Sequence, residues 1–184
     1  MSSTAPRLSP LPESEWTPEI RELLPRGLGK GRVLNIFTTL AHHPKLLKRW
    51  LVFGNHVLFK SSLSAREREM AILRTGKLCN SEYEWGQHVV IGRQIGLTEE
   101  EIRRIAQGPD APGWTEHEAN LLRAVDELHR DYRISDATWS ALSSRYDKQQ
   151  LLDLVFAVGQ YTMVSMALRT LGVELDEGIE GFEK

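Results

Sequence analysis

Cysteine is almost missing from this sequence. Cys79 stands alone, so no disulfide can close within the chain. Charge of one sign is missing as well: 23 Lys and Arg face 25 Asp and Glu, a formal charge of −2. The basic footprint of a nucleic-acid binder is therefore lacking, and no nucleic-acid partner is expected. Sustained apolar and polar alternation joined by hairpin dipeptides is absent too, which argues against a substantial sheet. The opening residues MSSTAPRLSPLPESEW carry neither the cationic nor the apolar stretch of a secretory signal, so a cytoplasmic location is expected. The most apolar stretch, Leu151 to Leu168, approaches the length of a short membrane span but holds Asp153 and Gln160. It reads as a buried helix, and no membrane partner is expected.

What is present fits one soluble domain: 184 residues, 41% apolar and 26% charged, a size that buries roughly two thirds of the unfolded chain's surface. Residues 1–15 hold three prolines and four serines and are expected to form an extended or poorly ordered arm. Residues 16–184 then form a single helical domain. Helix starts recur along it: Thr17 before Pro18, Asn35, Pro44 opening a helix to Lys60, and Ser64 with Glu67. Capping-box spacings follow at Ser81 with Glu84, Thr98 with Glu101, Thr115 with Glu118 and Asp147 with Gln150, and Ser135 offers a simpler cap,. Gly96 and Gly172 sit where a left-handed residue can end a helix,. The architecture predicted is an all-α helical bundle. Its last helix, with Leu151, Leu152, Leu154, Val155, Phe156, Val158, Met163, Val164, Met166, Leu168 and Leu171, is apolar nearly all round. A single core cannot cover every side of such a helix, so a homo-oligomer is expected.

Three clusters could carry chemistry. Gly27-Leu28-Gly29-Lys30-Gly31-Arg32 invites a phosphate-loop reading, but it follows no strand and lacks the Walker spacing, so it reads as an interhelical loop,. The histidines do not build a metal site: the chain has one Glu-x-x-x-His and no pair of histidines four apart on a helix,. His117 and His129 are expected at solvated surface positions.

The third cluster is the richest. Two helices meet near Asn80, with Glu84 and His88 four apart on the second, hence on one face and within contact range,. Glu69 shares a stripe of the first with Leu73 and Gly76, so antiparallel packing would bring it to the same face. Glu69, Glu84 and His88 form a candidate acid–base group. The plainer alternative is a Ser81–Glu84 capping box and an ordinary helical ion pair. Tyr83 and Trp85 could line a pocket for a small planar substrate, and Arg74 could hold a substrate carboxylate.

The run from Glu69 to His88, with Leu73-Arg74 inside it and Glu82-Tyr83-Glu84-Trp85-Gly86-Gln87-His88 closing it, resembles the carboxymuconolactone decarboxylase family, which includes the alkylhydroperoxidase D-like proteins. The likeness implies an all-helical subunit, trimers or hexamers, and a pocket near subunit contacts. In the peroxidase branch Glu is followed by eleven residues, Cys, two residues, Cys, three residues and His. Counted back from His88 this places Glu69, but Ser81 and Glu84 occupy the cysteine positions, so the dithiol is absent. The decarboxylase branch implies a lyase that needs no cofactor, acting on a small carboxylated lactone or related organic acid, with His88 delivering a proton. Peroxidase-like (peroxiredoxin-type) reduction through Cys79, or ligand binding without catalysis, are the alternatives.

Overall fold

In the computed structural model, which describes residues 5–25 and 32–182, helices do nearly all the structural work. Among these residues lie α1 (Pro18–Leu23), α2 (Asn35–Leu40), α3 (Pro44–Phe59), α4 (Ala65–Leu78), α5 (Glu82–Gln94), α6 (Glu99–Gln107), α7 (Glu116–Asp131), α8 (Asp136–Ser143) and α9 (Lys148–Leu171), and no strand. The caps explain most of these boundaries. Ser64–Glu67, Thr98–Glu101, Thr115–Glu118 and Asp147–Gln150 each form the reciprocal capping box, while Thr17 and Ser135 accept single bonds from Ile20 and Thr138 N–H,. Gly96 and Gly172 both adopt positive φ, and Gly172 N–H donates to Leu168 O to close α9.

Two caps differ from expectation. Leu34, not Asn35, occupies the position before α2, and the Asn35 N–H donates to Asp176 Oδ1 at 2.9 Å. A carboxylate from 141 residues away thus does what a local side chain was expected to do. Ser81 makes no side-chain cap, and its buried Oγ has no hydrogen-bond partner. The glycine-rich loop lies outside the described residues except for Arg32, which pairs with Glu177.

α4 is the axis of the molecule. It packs against α5, α6, α7 and α9, and its residues from Glu69 to Gly76 are all buried. The main core joins Met70, Leu73, Leu121, Leu122, Val125, Leu154 and Val158 from α4, α7 and α9, and a second cluster ties α1, α2 and α3 to Val164 and Leu168. α9 is a core helix with one outward stripe: Leu151, Leu154, Val158, Val164 and Leu168 are buried, while Leu152, Phe156, Met163 and Met166 are exposed.

The chain before α1 is extended, but it is not loose. Arg7 and Leu8 N–H donate to Leu171 O, Leu11 N–H donates to Thr38 O, and the Trp16 indole donates to Leu11 O. Leu11 is buried in the second cluster, so of the two states expected of this proline- and serine-rich arm, extended or poorly ordered, the described residues take the extended one, held by an apolar anchor and backbone pairing. His117 also departs from the solvated position expected of it: its Nε2 lies 3.0 Å from Glu67 Oε1, and Tyr146 packs edge-on against the ring.

Candidate active site

α4 and α5 are joined by a turn of only a few residues, with Asn80 in the left-handed region at φ 52°. Asn accepts that conformation better than most residues, and Ser81 N–H closes the turn on Gly76 O at 2.9 Å. Gly76 faces α5, where a Cβ would stand 3.4 Å from Trp85 N, at the near end of ordinary contact. The two helices run antiparallel at short range, which places the Glu69 stripe opposite the Glu84–His88 face.

The three side chains meet. His88 Nδ1 lies 2.6 Å from Glu69 Oε2, and Nε2 lies 3.1 Å from Glu84 Oε1. Glu69 is fully buried, and Glu84 and His88 are each 5% exposed. Tyr161 from α9 stands edge-on to the imidazole with centroids 4.9 Å apart. Burial works against the imidazolium, but the charge and hydrogen bond of Glu69, followed by those of Glu84, outweigh it and raise His88 to about 10,. At neutral pH the ring is therefore an imidazolium that donates from Nδ1 to Glu69 and from Nε2 to Glu84. The capping box that would have occupied Glu84 does not form, so its carboxylate is committed to His88 instead.

His88 and Glu84 open onto a cavity of about 180 Å³ between α2, α3, α5 and α9. Ile36, Phe37, Trp50, Leu51, Leu58 and Val164 give it apolar walls, with Tyr83, Gln87, Gln160 and Tyr161 among the polar-tipped lining residues. Glu69 is absent from the lining and reaches the cavity only through His88. No described lining residue is Lys or Arg.

The three residues expected to bind substrate separate. Tyr83 lines the cavity, but its hydroxyl donates to Asp176 Oδ2 at 2.5 Å and accepts from Ile36 N–H. Burial and that aspartate push the phenol well above its ordinary range. Arg74 is not at the site. Its Nε and Nη2 clasp Asp126 at 2.6 and 2.8 Å, and Nη1 donates to the carbonyls of Ile105 and Ala106, because its position on α4 points it toward α6 and α7. Trp85 faces away from the imidazole, packing on Phe182 with centroids 5.7 Å apart. Successive residues on a helix diverge by about 100°, so flanking Glu84 in sequence does not place Trp85 beside it in space. Cys79 lies outside the cavity lining, 3.8 Å from His129 Nδ1, and burial raises its thiol. Asp176 was missed entirely; it ties Tyr83, Gln87 and the start of α2 together, and nothing local in its sequence marks it.

The chain is thus an all-helical protein in which a buried Glu–His–Glu chain on two antiparallel helices opens on a small, mostly apolar cavity. Residues 44–127 match the model of the carboxymuconolactone decarboxylase family. The fold agrees. The alkylhydroperoxidase core protein of Ralstonia eutropha JMP134, an uncharacterised peroxidase-related protein, superposes with a TM-score of 0.80 at 20% identity over 95% of each chain. A peroxidase-related protein of Silicibacter sp. TM1040 gives 0.72 at 17% identity over 79% of this chain and 78% of that one. A variant of the debrominase Bmp8 in complex with 2,3,4-tribromopyrrole gives 0.76 at 11% identity, covering 96% of this chain and 95% of the other. No curated protein matches the chain in sequence.

Proposed function

We propose that the protein is an acid–base enzyme that moves protons on a small, mostly apolar, enolisable ring compound such as a lactone. The observation that carries this reading is the Glu69–His88–Glu84 chain, of which His88 and Glu84 line the cavity while Glu69 lies behind them. Glu69 positions the ring and holds its charge. Glu84, an acceptor at the cavity wall, takes a proton from the substrate carbon. The His88 imidazolium donates its Nε2 proton to the enolate at a second atom, and Glu84 then returns the captured proton to the imidazole across their 3.1 Å contact,. The net result is a proton shift with the enzyme restored.

A carboxylated lactone is the variant of this reaction in which carbon dioxide leaves and only the protonation half remains. The carboxylate handle assigned to Arg74 does not support it, since that guanidinium is held by Asp126. A neutral ring fits the described lining, which holds Glu84 and no Lys or Arg, better than an anion does,. Thiol chemistry at this cavity has less support, because Cys79 does not line it and its thiolate is disfavoured.

The test is solvent deuterium incorporation into a β,γ-unsaturated γ-lactone, followed by proton NMR, with release of carbon dioxide from its carboxylated analogue measured alongside. Wild type and Cys79→Ala should both accelerate exchange, and Glu84→Gln should lose it by a factor of about 10² or more. Exchange that survives in Glu84→Gln, or that depends on Cys79, would overturn the reading.

A further inference from the structure

Gln160 stands at the same cavity on α9, one residue before the Tyr161 that contacts His88. It is 4% exposed, and its Oε1 is buried without a hydrogen-bond partner. No other described residue lining the cavity carries such an orphaned atom. Buried amides in native proteins are nearly always satisfied, and one left unsatisfied is costly. Leaving it unpaired in a mostly apolar cavity makes physical sense if something else completes it. Gly54 of α3 faces the amide: a Cβ at that position would come within 3.5 Å of Gln160 Nε2. Even a Cβ there would stand only at ordinary contact distance, so Gly54 does not crowd the amide, and the terminal torsion of Gln is broad and nearly two-fold. Either end of the amide can thus be presented to a guest.

We infer that Gln160 is a specificity-determining residue that hydrogen-bonds a hydroxyl on the ligand, so the preferred ligand is a single hydroxyl-bearing ring rather than a plain hydrocarbon ring. A hydroxyl suits this position because it both donates and accepts, satisfying whichever end of the amide faces it. The size agrees: a protein cavity of about 150 Å³ accepts benzene, and this one is about 180 Å³. With Gln160 and the Glu84–His88 pair lining one cavity, the hydroxyl fixes the ring while another atom meets the acid–base pair. The inference rests on the proposed function only for what happens after binding.

The experiment uses 4-fluorophenol and 4-fluorotoluene as probes, titrated into the full chain and followed by fluorine NMR. Wild type should bind the phenol roughly tenfold more tightly, the effect of one added hydrogen bond. Gln160→Leu and Gln160→Met should bind both probes about equally, with the gain in the toluene confirming that the cavity is intact. Unchanged preference in both variants would overturn the assignment, as would preference lost in Glu84→Gln but kept in Gln160→Leu, which would place the hydroxyl on the carboxylate. Failure of either probe to bind wild type saturably would also overturn it. If the preference depends on Gln160 while deuterium exchange is indifferent to Glu84, the ligand assignment stands and the acid–base reading falls.

Discussion

Glu69 is the residue whose burial decides the most. A carboxylate with no exposure is tolerated because His88 supplies a charged hydrogen bond at 2.6 Å, and removing one member of such a pair strands the other. His88→Ala is expected to cost about 3–5 kcal/mol in urea unfolding at pH 7. The pH dependence has a definite sign. His88 holds its proton more tightly folded, at about 10, than its ordinary value of 6.5. Its contribution to stability is complete below pH 6.5 and fades as pH rises through 10. The stability gap between wild type and His88→Asn should therefore narrow steadily over that range, and imidazole nitrogen NMR should show His88 still protonated at pH 8. At Arg74 the outcome separates structure from function: Arg74→Met should destabilise by about 3 kcal/mol through the stranded Asp126, while leaving ligand affinity at the cavity unchanged.

Among the elements, α5 shows how far local reading reaches. The i,i+4 spacing of Glu84 and His88 is a helical fact and was legible, as was the stripe carrying Glu69. The partners of Tyr83, Arg74 and Trp85 were not legible, because each faces a different neighbour of the α4–α5 pair. The residues after Gly172 make the point most clearly. They run back over α5, and a Cβ on Gly86 would stand 2.4 Å from Glu180 O and 2.6 Å from Ile179 Cγ2. That contact is with backbone as well as side chain, so the neighbour cannot simply rotate away. Gly86→Ala is expected to cost about 1–3 kcal/mol and to raise hydrogen exchange in the 173–182 segment. Asp176→Asn should loosen the same segment and the start of α2 together, since one carboxylate serves Asn35, Tyr83 and Gln87.

For the molecule as a whole, the outward stripe of α9 is the energetically costly surface. Leu152, Phe156, Met163 and Met166 on α9, with Leu46, Val52 and Phe59 on α3, leave large apolar side chains exposed on neighbouring helices. Faces of this kind usually mark an association surface. We propose that copies of the chain cover it in a homo-oligomer; light scattering should give a multiple of the 20.9 kDa subunit mass, and Phe156→Glu with Met163→Glu should return the monomer. A monomeric wild type would remove this explanation of the stripe.

By itself the sequence determined the helices and where most of them begin and end, because caps, glycines and helical periodicity act over three or four residues. It also determined that an acid and an imidazole share one face of α5, since that follows from 3.6 residues per turn. Which groups are free to act was settled by long-range packing. Asp126 holds Arg74, Asp176 holds Tyr83, Leu11 pins the first segment, and Gln160 Oε1 is left without a hydrogen-bond partner among the described residues. Each of these depends on residues brought together from distant parts of the chain, and the free energy of a buried polar group is set by whatever packing places within 3 Å of it.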